Sequence, residues 1–327
     1  MRIRPAVSII LPFYNSEKFI LRALESVTLW TKSDYEIICV NDGSKDGSLS
    51  IVKEFQKLHS QIRIVSFKEN RGLYHARLAG IKKARGTYVG FLDSDDYVSN
   101  GYFDILYRCA SEAKADIAVG QIINVNADGS AYLQLRCASF PYLAPYNEML
   151  KSVYEMFWKQ RGLCYHWHVV WNKIYKRELI KHNLEVLQMQ EHHLVMMEDF
   201  IYSSIFLKDV NTYTVNTSAK YFYVEHNQAV THMQSVDSIR KSILDRDCAF
   251  DFVEKYLKNE PTCQKYLPYM YEWKHLYDRI WKNKIRILGL VEQEQLLPML
   301  SNNEEDLKEC DTEDDFYYKL SKKIELY

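Results

Sequence analysis

The stretch "GTYVGFLDSDDYVS" (86–99) runs from an apolar segment, Tyr88 to Leu92, straight into three carboxylates, Asp93, Asp95 and Asp96. If the apolar segment is a strand, its period of two puts Asp93 and Asp95 on one side of the chain. Two carboxylates so placed repel each other unless a cation or a donor lies with them. They could share a hard divalent ion whose octahedral shell is completed by phosphate oxygens and water. The plainer reading is an acidic turn ahead of a helix near Ser99. "NDGSKDGS" (41–48) pairs a strand end with a glycine turn and presents Asp42. It lacks the spacing of a P-loop. Asp42 could accept hydrogen bonds from a base imide or a ribose, or could serve an ordinary Asx turn. "ENRGLYHARLAG" (69–80) sets Arg77 about two turns into a helix, where it could meet phosphates or a base, or be a solvated surface residue. His75 has no assigned role.

The elements that must hold these groups alternate regularly. "VSIILP" (7–12), "EIICV" (36–40), "IRIVSF" (62–67) and "YVGFL" (88–92) are short apolar runs without polar alternation, as expected of strands buried on both faces. Helical patterns separate them. Ser16 is placed to cap the first, with Phe19, Ile20, Ala23, Leu24 and Val27 on one face. Asp46 is placed to cap the second; residues 71–84 and 99–113 form the next two, and "DIAVG" (116–120) is a further strand. Such alternation predicts right-handed crossovers and a largely parallel sheet covered by helices. Ligands of open α/β sheets bind outside the carboxyl ends of the strands. Those ends carry "PFYN" (12–15), "NDGS" (41–44), "KENRG" (68–72) and "DSDD" (93–96), so the polar groups converge on one rim.

Beyond residue 120 the pattern changes. A hairpin is expected over 124–135, turning at Asp128–Gly129. Aromatic-rich helical material is expected over 148–159, a strand entering a helix at 171–180, an amphipathic helix at 197–210 and a strand pair at 212–226. From about 235 onward the chain reads as helices broken at Pro261 and Pro268. The expected division is therefore 1–230, in two halves, 1–120 and 121–230, which the resemblance given below would make nucleotide-binding and acceptor halves, followed by a helical region, 231–327.

Composition narrows the classes. The 327 residues are 47% apolar and carry a net charge of −1, which gives no argument for whole-surface binding to nucleic acid. The 25 tyrosines fit polar-tipped core packing, or sugar and lipid-interface contacts. Seven scattered cysteines without a C-x-x-C pair fit reduced thiols and no zinc ribbon. No apolar run reaches spanning length, so a cytoplasmic protein is expected, with room for peripheral contact at the inner face of the cell membrane.

Taken together, "VSIILPFYN", "EIICVNDGSKDGS", "NRGLYHARLAG" and "GTYVGFLDSDD", in that order and spacing, resemble the inverting family 2 glycosyltransferases with the GT-A fold. "WNKIYKREL" and "MEDFIYSSIF" are similar to segments of bacterial members that build surface polysaccharides. The resemblance implies a mostly parallel Rossmann-like α/β sheet and transfer of a sugar from a nucleotide sugar, with UDP expected, to a glycan or lipid-linked acceptor. It implies a nucleotide site at Pro12, Tyr14, Asp42, Arg77, Asp93 and Ser94. Within it Tyr14 and Asp42 would contact the base, Arg77 would frame the base pocket and Asp93 would face the ribose. Asp95 would bind Mn²⁺ or Mg²⁺ at the diphosphate, with Asp96 behind it and Lys173 on the leaving group. Asp199 would be the base that deprotonates the acceptor, with Glu198 as its neighbour; the plainer reading of both is a helix cap. Leu78 stands where the family commonly has Asn. Where members often carry Arg after the Tyr-x-Tyr strand, this chain has His226 and His232. His226 is thus a candidate metal ligand, against a structural or solvated histidine.

Two further readings compete with an enzyme of this class. One is a non-catalytic sugar-nucleotide-binding scaffold of a polysaccharide assembly, disfavoured by the retained "ED" and "DSD" pairs. The other is a nucleotidyltransferase, whose Gly- and Lys/Arg-rich loop is absent from "PFYNSEKF". Finally, "WKHLYDRIWKNKIRIL" (273–288) combines a stripe of Trp273, Leu276, Tyr277, Ile280, Trp281 and Leu288 with basic residues. It could lie on an anionic membrane or pack on the catalytic domain.

Overall fold

The structure, a computed structural model, describes residues 4–28, 34–133, 150–151, 153–154, 165–225, 235–286 and 288–300. The first four strands are β1 (Val7–Phe13), β2 (Tyr35–Asn41), β3 (Ile62–Ser66) and β4 (Tyr88–Phe91). Between and after them come α1 (Ile20–Thr28), α2 (Ser48–Leu58), α3 (Leu73–Lys83) and α4 (Tyr102–Ala113). β1 pairs in parallel with β2 and β4, and β2 with β3. Every residue of β1 is buried, as its unbroken apolar run requires. The register aligns the rim. Phe13 lies opposite Asn41, Asn41 opposite Ser66, and Leu92 N donates to Ile10 O just past the end of β4.

The second half of the sheet is mixed. It adds β5 (Tyr97–Val98), β6 (Ile117–Val125), β7 (Ala131–Leu133), β8 (Lys173–Lys176) and β9 (Tyr213–Val224). The order among the described strands is β3-β2-β1-β4-β8-β6-β9-β5, with β7 on β6. Parallel pairing, as expected, joins β1–β4 and also β6 with β9, while β4–β8, β6–β8, β6–β7 and β5–β9 are antiparallel. β8 enters antiparallel between β4 and β6, where the fully buried Ile174 sits opposite Gly90 on one side and Ala118 on the other. The expected hairpin is present as β6–β7, with Gly129 at φ 85° in its turn. The expected strand pair at 212–226 is one strand, β9. Its register on β6 jumps between Asn216 and Lys220, so the polar Thr217–Ser218 pair bulges into solvent instead of turning the chain.

The helix Glu198–Leu207 is not amphipathic: all of it except Asp199 is buried. It is enclosed on both sides. Tyr202 stacks on Tyr74 of α3 at 4.8 Å, and Phe200 meets Phe250 at 4.5 Å and Trp273 at 5.0 Å. Those last two rings belong to the helices Val236–Asn259 and Leu267–Arg286. The C-terminal helices therefore extend the core of the sheet domain, and Phe250, Trp273 and Ile9 belong to one buried cluster. Pro268, read as a break, falls in the first turn of its helix, where a missing N–H costs nothing. The tryptophan stripe faces inward, with Trp273 and Leu276 in the main core and Trp281 in a small second cluster. Trp273 and Leu276 are thereby covered by protein. Among the described residues no helix is long and apolar enough to cross a membrane. Most of 148–159 lies outside the described residues.

Candidate active site

A cavity of about 1190 Å³ opens over the rim and gathers most of the candidate residues. Pro12, Tyr14, Asp42, Asp93, Ser94 and Asp95 line it, as do Asp96, Glu198 and Asp199. Each comes from a segment that the fold forces to this edge. Pro12 and Tyr14 leave β1, Asp42 follows β2, and the carboxylates of "DSDD" follow β4. Glu198 and Asp199 open a helix whose macrodipole presents its positive end to them. The residue before them, Met197, is held at φ 67°, a left-handed conformation rare outside glycine that marks a constrained turn.

Arg77 is the centre of the site and not part of a base pocket. Its side chain is fully buried beneath the cavity and donates to three carboxylates. Nη2 reaches both oxygens of Asp93 at 2.7 and 3.0 Å. Nη1 reaches Asp199 Oδ1 at 2.7 Å and Glu198 Oε1 at 3.2 Å. Burial alone would loosen the guanidinium proton, but Asp93, Asp199 and Glu198 outweigh it and hold the proton well above its ordinary range. One cation for three acids leaves a surplus of negative charge. Burial first, and Asp199 beside it, raise the Glu198 carboxyl above its usual value. Asp93 is raised to about 6 by burial, with Asp95 and Asp199 adding to it and Arg77 opposing. Its side chain still keeps 20% exposure, the edge that faces the cavity.

Asp42 is buried and accepts from the backbone N–H of Arg71 at 2.7 Å and of Gly72 at 2.9 Å. Its carboxylate thus fixes the turn into α3 as well as lining the cavity. Gly72 has φ 88°, and a Cβ there would come within 2.6 Å of the His193 ring. Ser94 shares a 2.7 Å hydrogen bond with Ser16. The Ser16 hydroxyl, expected to cap α1, is used here, while its carbonyl accepts from Ile20 N at 2.9 Å. Asp96 is buried and accepts from Tyr221 Oη at 2.8 Å and Val224 N at 2.8 Å. It fastens the acidic turn to β9 and does not cap α4. Burial, then Asp95 and Asp93, raise its pKa well above the carboxylate range.

Lys173 does not line the cavity. It is fully buried, and its ammonium donates to Val169 O and, at 2.6 Å, to Asn172 Oδ1. The placement of Lys173 on a leaving group is corrected accordingly: its position in the middle of the sheet points it into the interior. His226 and His232 lie outside the described residues. The cavity also holds residues that sequence reasoning passed over, among them His168, Trp171, His193 and Tyr223. Burial lowers the His168 imidazole to about 4, so this ring is neutral. Trp171 stacks on Tyr223 at 5.5 Å and meets Tyr221 tilted at 4.4 Å, a cluster signalled only by the aromatic alternation of "YFYV". Among the described residues no three His, Cys, Asp or Glu side chains gather to hold a metal by themselves. The carboxylates at the rim, Asp95 among them, are hard oxygen donors of the kind that divalent cations take together with phosphate oxygens.

In sequence and in fold the chain is similar to known proteins. The pattern described as "Glycosyl transferase family 2" matches residues 8–184. The uncharacterized glycosyltransferase EpsJ of Bacillus subtilis is 39% identical over 179 residues, which are 54% of this chain and 49% of EpsJ. The chain thus spans about half the length of that relative. The putative glycosyltransferase EpsH of Bacillus subtilis is 28% identical over 88% of this chain and 83% of its own. In structure, S. aureus TarS 1–349 in complex with UDP-GlcNAc superposes with a TM-score of 0.55 at 19% identity, covering 86% of this chain and 83% of TarS. The match over more than half of the chain, on a sheet of this topology, means that the chain belongs to glycosyltransferase family 2 and has the GT-A fold with a helical C-terminal region.

Proposed function

We propose that the protein transfers a sugar from a nucleoside diphosphate sugar, with uridine as the nucleoside, to a hydroxyl of a glycan or lipid-linked acceptor, with inversion at the anomeric carbon. The observation that carries this reading is that one cavity holds the donor-side Asp93 and the helix-terminal Asp199 on a single buried arginine. The UDP-GlcNAc complex of the structurally similar TarS supports the uridine assignment.

In this reading the nucleotide enters along Pro12, Tyr14 and Asp42, and Asp93 receives a ribose hydroxyl. Asp95 would hold Mn²⁺ or Mg²⁺ against the diphosphate. When bound, such an ion supplies charge neutralisation for the leaving phosphate without a proton transfer. Asp199 accepts the proton of the acceptor hydroxyl as its oxygen bonds to the anomeric carbon and the carbon–oxygen bond to the diphosphate breaks. No general acid is needed, because the diphosphate leaves as an anion. Glu198, its pKa raised by burial and by its neighbour, holds a proton more readily than an exposed carboxylate does. That reduces repulsion around Asp199.

The test is a panel of UDP-sugars incubated with the protein, Mn²⁺ and a mixture of glycan and lipid-linked acceptors, with UDP release measured. Acceptor-dependent release with one donor supports the reading. Binding of UDP without release under any combination would favour a scaffold instead.

A further inference from the structure

The cavity does not end at the carboxylates. At about 1190 Å³ it exceeds the ~300–1,000 Å³ of pockets that hold one small ligand, which leaves room for a second molecule. Its far wall comes from segments beyond the family match, which stops at residue 184. That wall is apolar, with Leu194, Met196, Ile239, Tyr277, Trp281 and Leu288 lining it. Two hydroxyl-bearing side chains belong to it, Tyr277 and Ser242, and the Ser242 hydroxyl donates to Ser238 O at 2.9 Å.

This wall is firmly built. Met196 packs on the cluster formed by Ile239, Ile243, Trp281 and Ile285. The segment that carries Met196 is pinned to the helix Val236–Asn259 by two bonds. The buried Asp245 accepts from Val195 N at 2.8 Å, and Lys241 Nζ donates to His193 O at 2.7 Å. Met196 stands three residues before Asp199, so the apolar surface begins beside the base. A polyhydroxylated unit pressed against such a wall would lose water from its hydroxyls without finding replacements. A hydrocarbon would gain, by roughly three- to fourfold in affinity for each methylene fully buried.

We propose, resting on the glycosyltransferase reading above, that this wall is a subsite for an apolar aglycone. The acceptor presents its hydroxyl to Asp199 while a hydrocarbon chain attached to it lies along Met196, Ile239, Trp281 and Leu288. The C-terminal helices then serve as an acceptor-selecting element.

Binding of n-octyl and methyl β-D-glucopyranoside, below the micelle concentration and with and without UDP, tests this by calorimetry. The octyl glycoside is expected to bind at least about tenfold more tightly than the methyl glycoside. Leu288→Glu, which places a charge on the wall, and Ser242→Phe, which fills it, are each expected to remove that advantage while UDP binding stays unchanged. Equal affinity of the two glycosides, including no detectable binding of either, overturns the proposal. So does an octyl advantage that survives both substitutions. UDP binding is read separately. Its absence contradicts the proposed donor, whereas absence of the chain-length effect contradicts the subsite alone.

Discussion

Asp93 and Asp199 are bound by the two arms of one guanidinium: Arg77 Nη2 holds Asp93 at 2.7 Å and Arg77 Nη1 holds Asp199 at 2.7 Å. The donor-side carboxylate and the proposed base therefore have their spacing set by a residue that does not line the cavity. Removing Arg77 would leave the buried Glu198 and the partly buried Asp93 and Asp199 without their cation. Arg77→Ala is expected to cost ~3–5 kcal/mol of stability, as for other broken buried ion pairs, read by urea denaturation. Arg77→Lys keeps the charge but cannot span both carboxylates. It is expected to recover much of the stability while kcat/KM stays down by about 100-fold, the scale of an ångström-level misplacement.

In the proposed role on the ribose, Asp93 would set a pH limit on donor binding. Its carboxyl is raised to about 6, so it is ionised above that pH and protonated below it. As pH falls through 6, the Arg77 pair and the best acceptor for a ribose hydroxyl are lost together. UDP affinity, titrated by calorimetry from pH 5 to 8, is expected to be level above about pH 7 and to fall below 6. An affinity unchanged down to pH 5 would contradict the role given to Asp93.

Tyr221 fastens the acidic turn to β9 through Asp96. Tyr221→Phe keeps the ring on Trp171 and removes the hydroxyl, leaving one oxygen of a buried carboxyl without its donor. A loss of ~1–3 kcal/mol is expected in thermal or chemical unfolding. Asp96→Asn retains an acceptor for Val224 N and is expected to cost less than Asp96→Ala.

Gly72 is a tight backbone position at the proposed nucleotide end, where an added Cβ would also come within 2.7 Å of Leu194 O. Gly72→Ala combines φ 88° with a contact of 2.6 Å to His193. About 1–3 kcal/mol of strain is expected from the backbone alone. The segment His193–Met197 must shift to accept the methyl group, so UDP binding should weaken at least as much as stability falls.

The rim was legible because each of its motifs is local: an apolar run, then a polar turn at its carboxyl end. "PFYN", "NDGS" and "DSDD" needed only strand period and sheet direction to be placed together. The partners of those residues were not legible, because they are distant in sequence. Arg77 and Asp199 are 122 residues apart, and Asp96 and Tyr221 are 125 apart. Periodicity cannot report which buried cation meets which acid. Lys173 was misplaced for the same reason: nothing in "WNK" tells that β8 runs through the middle of the sheet and turns the ammonium inward. The tryptophan stripe at 273–281 is legible as a helix face, but a face has no label for what covers it.

The central claim is that Asp199 removes the acceptor proton while Asp95 serves the donor. The most direct measurement is acceptor-dependent UDP release and Mn²⁺-dependent UDP binding in Asp199→Asn and Asp95→Ala, assayed with the same donor. Asp199→Asn is expected to lower release by about 10²–10⁴-fold with UDP binding nearly unchanged, whereas Asp95→Ala is expected to lose both. Release within tenfold of the unaltered protein in Asp199→Asn, or equal loss of UDP binding in both variants, would contradict the account.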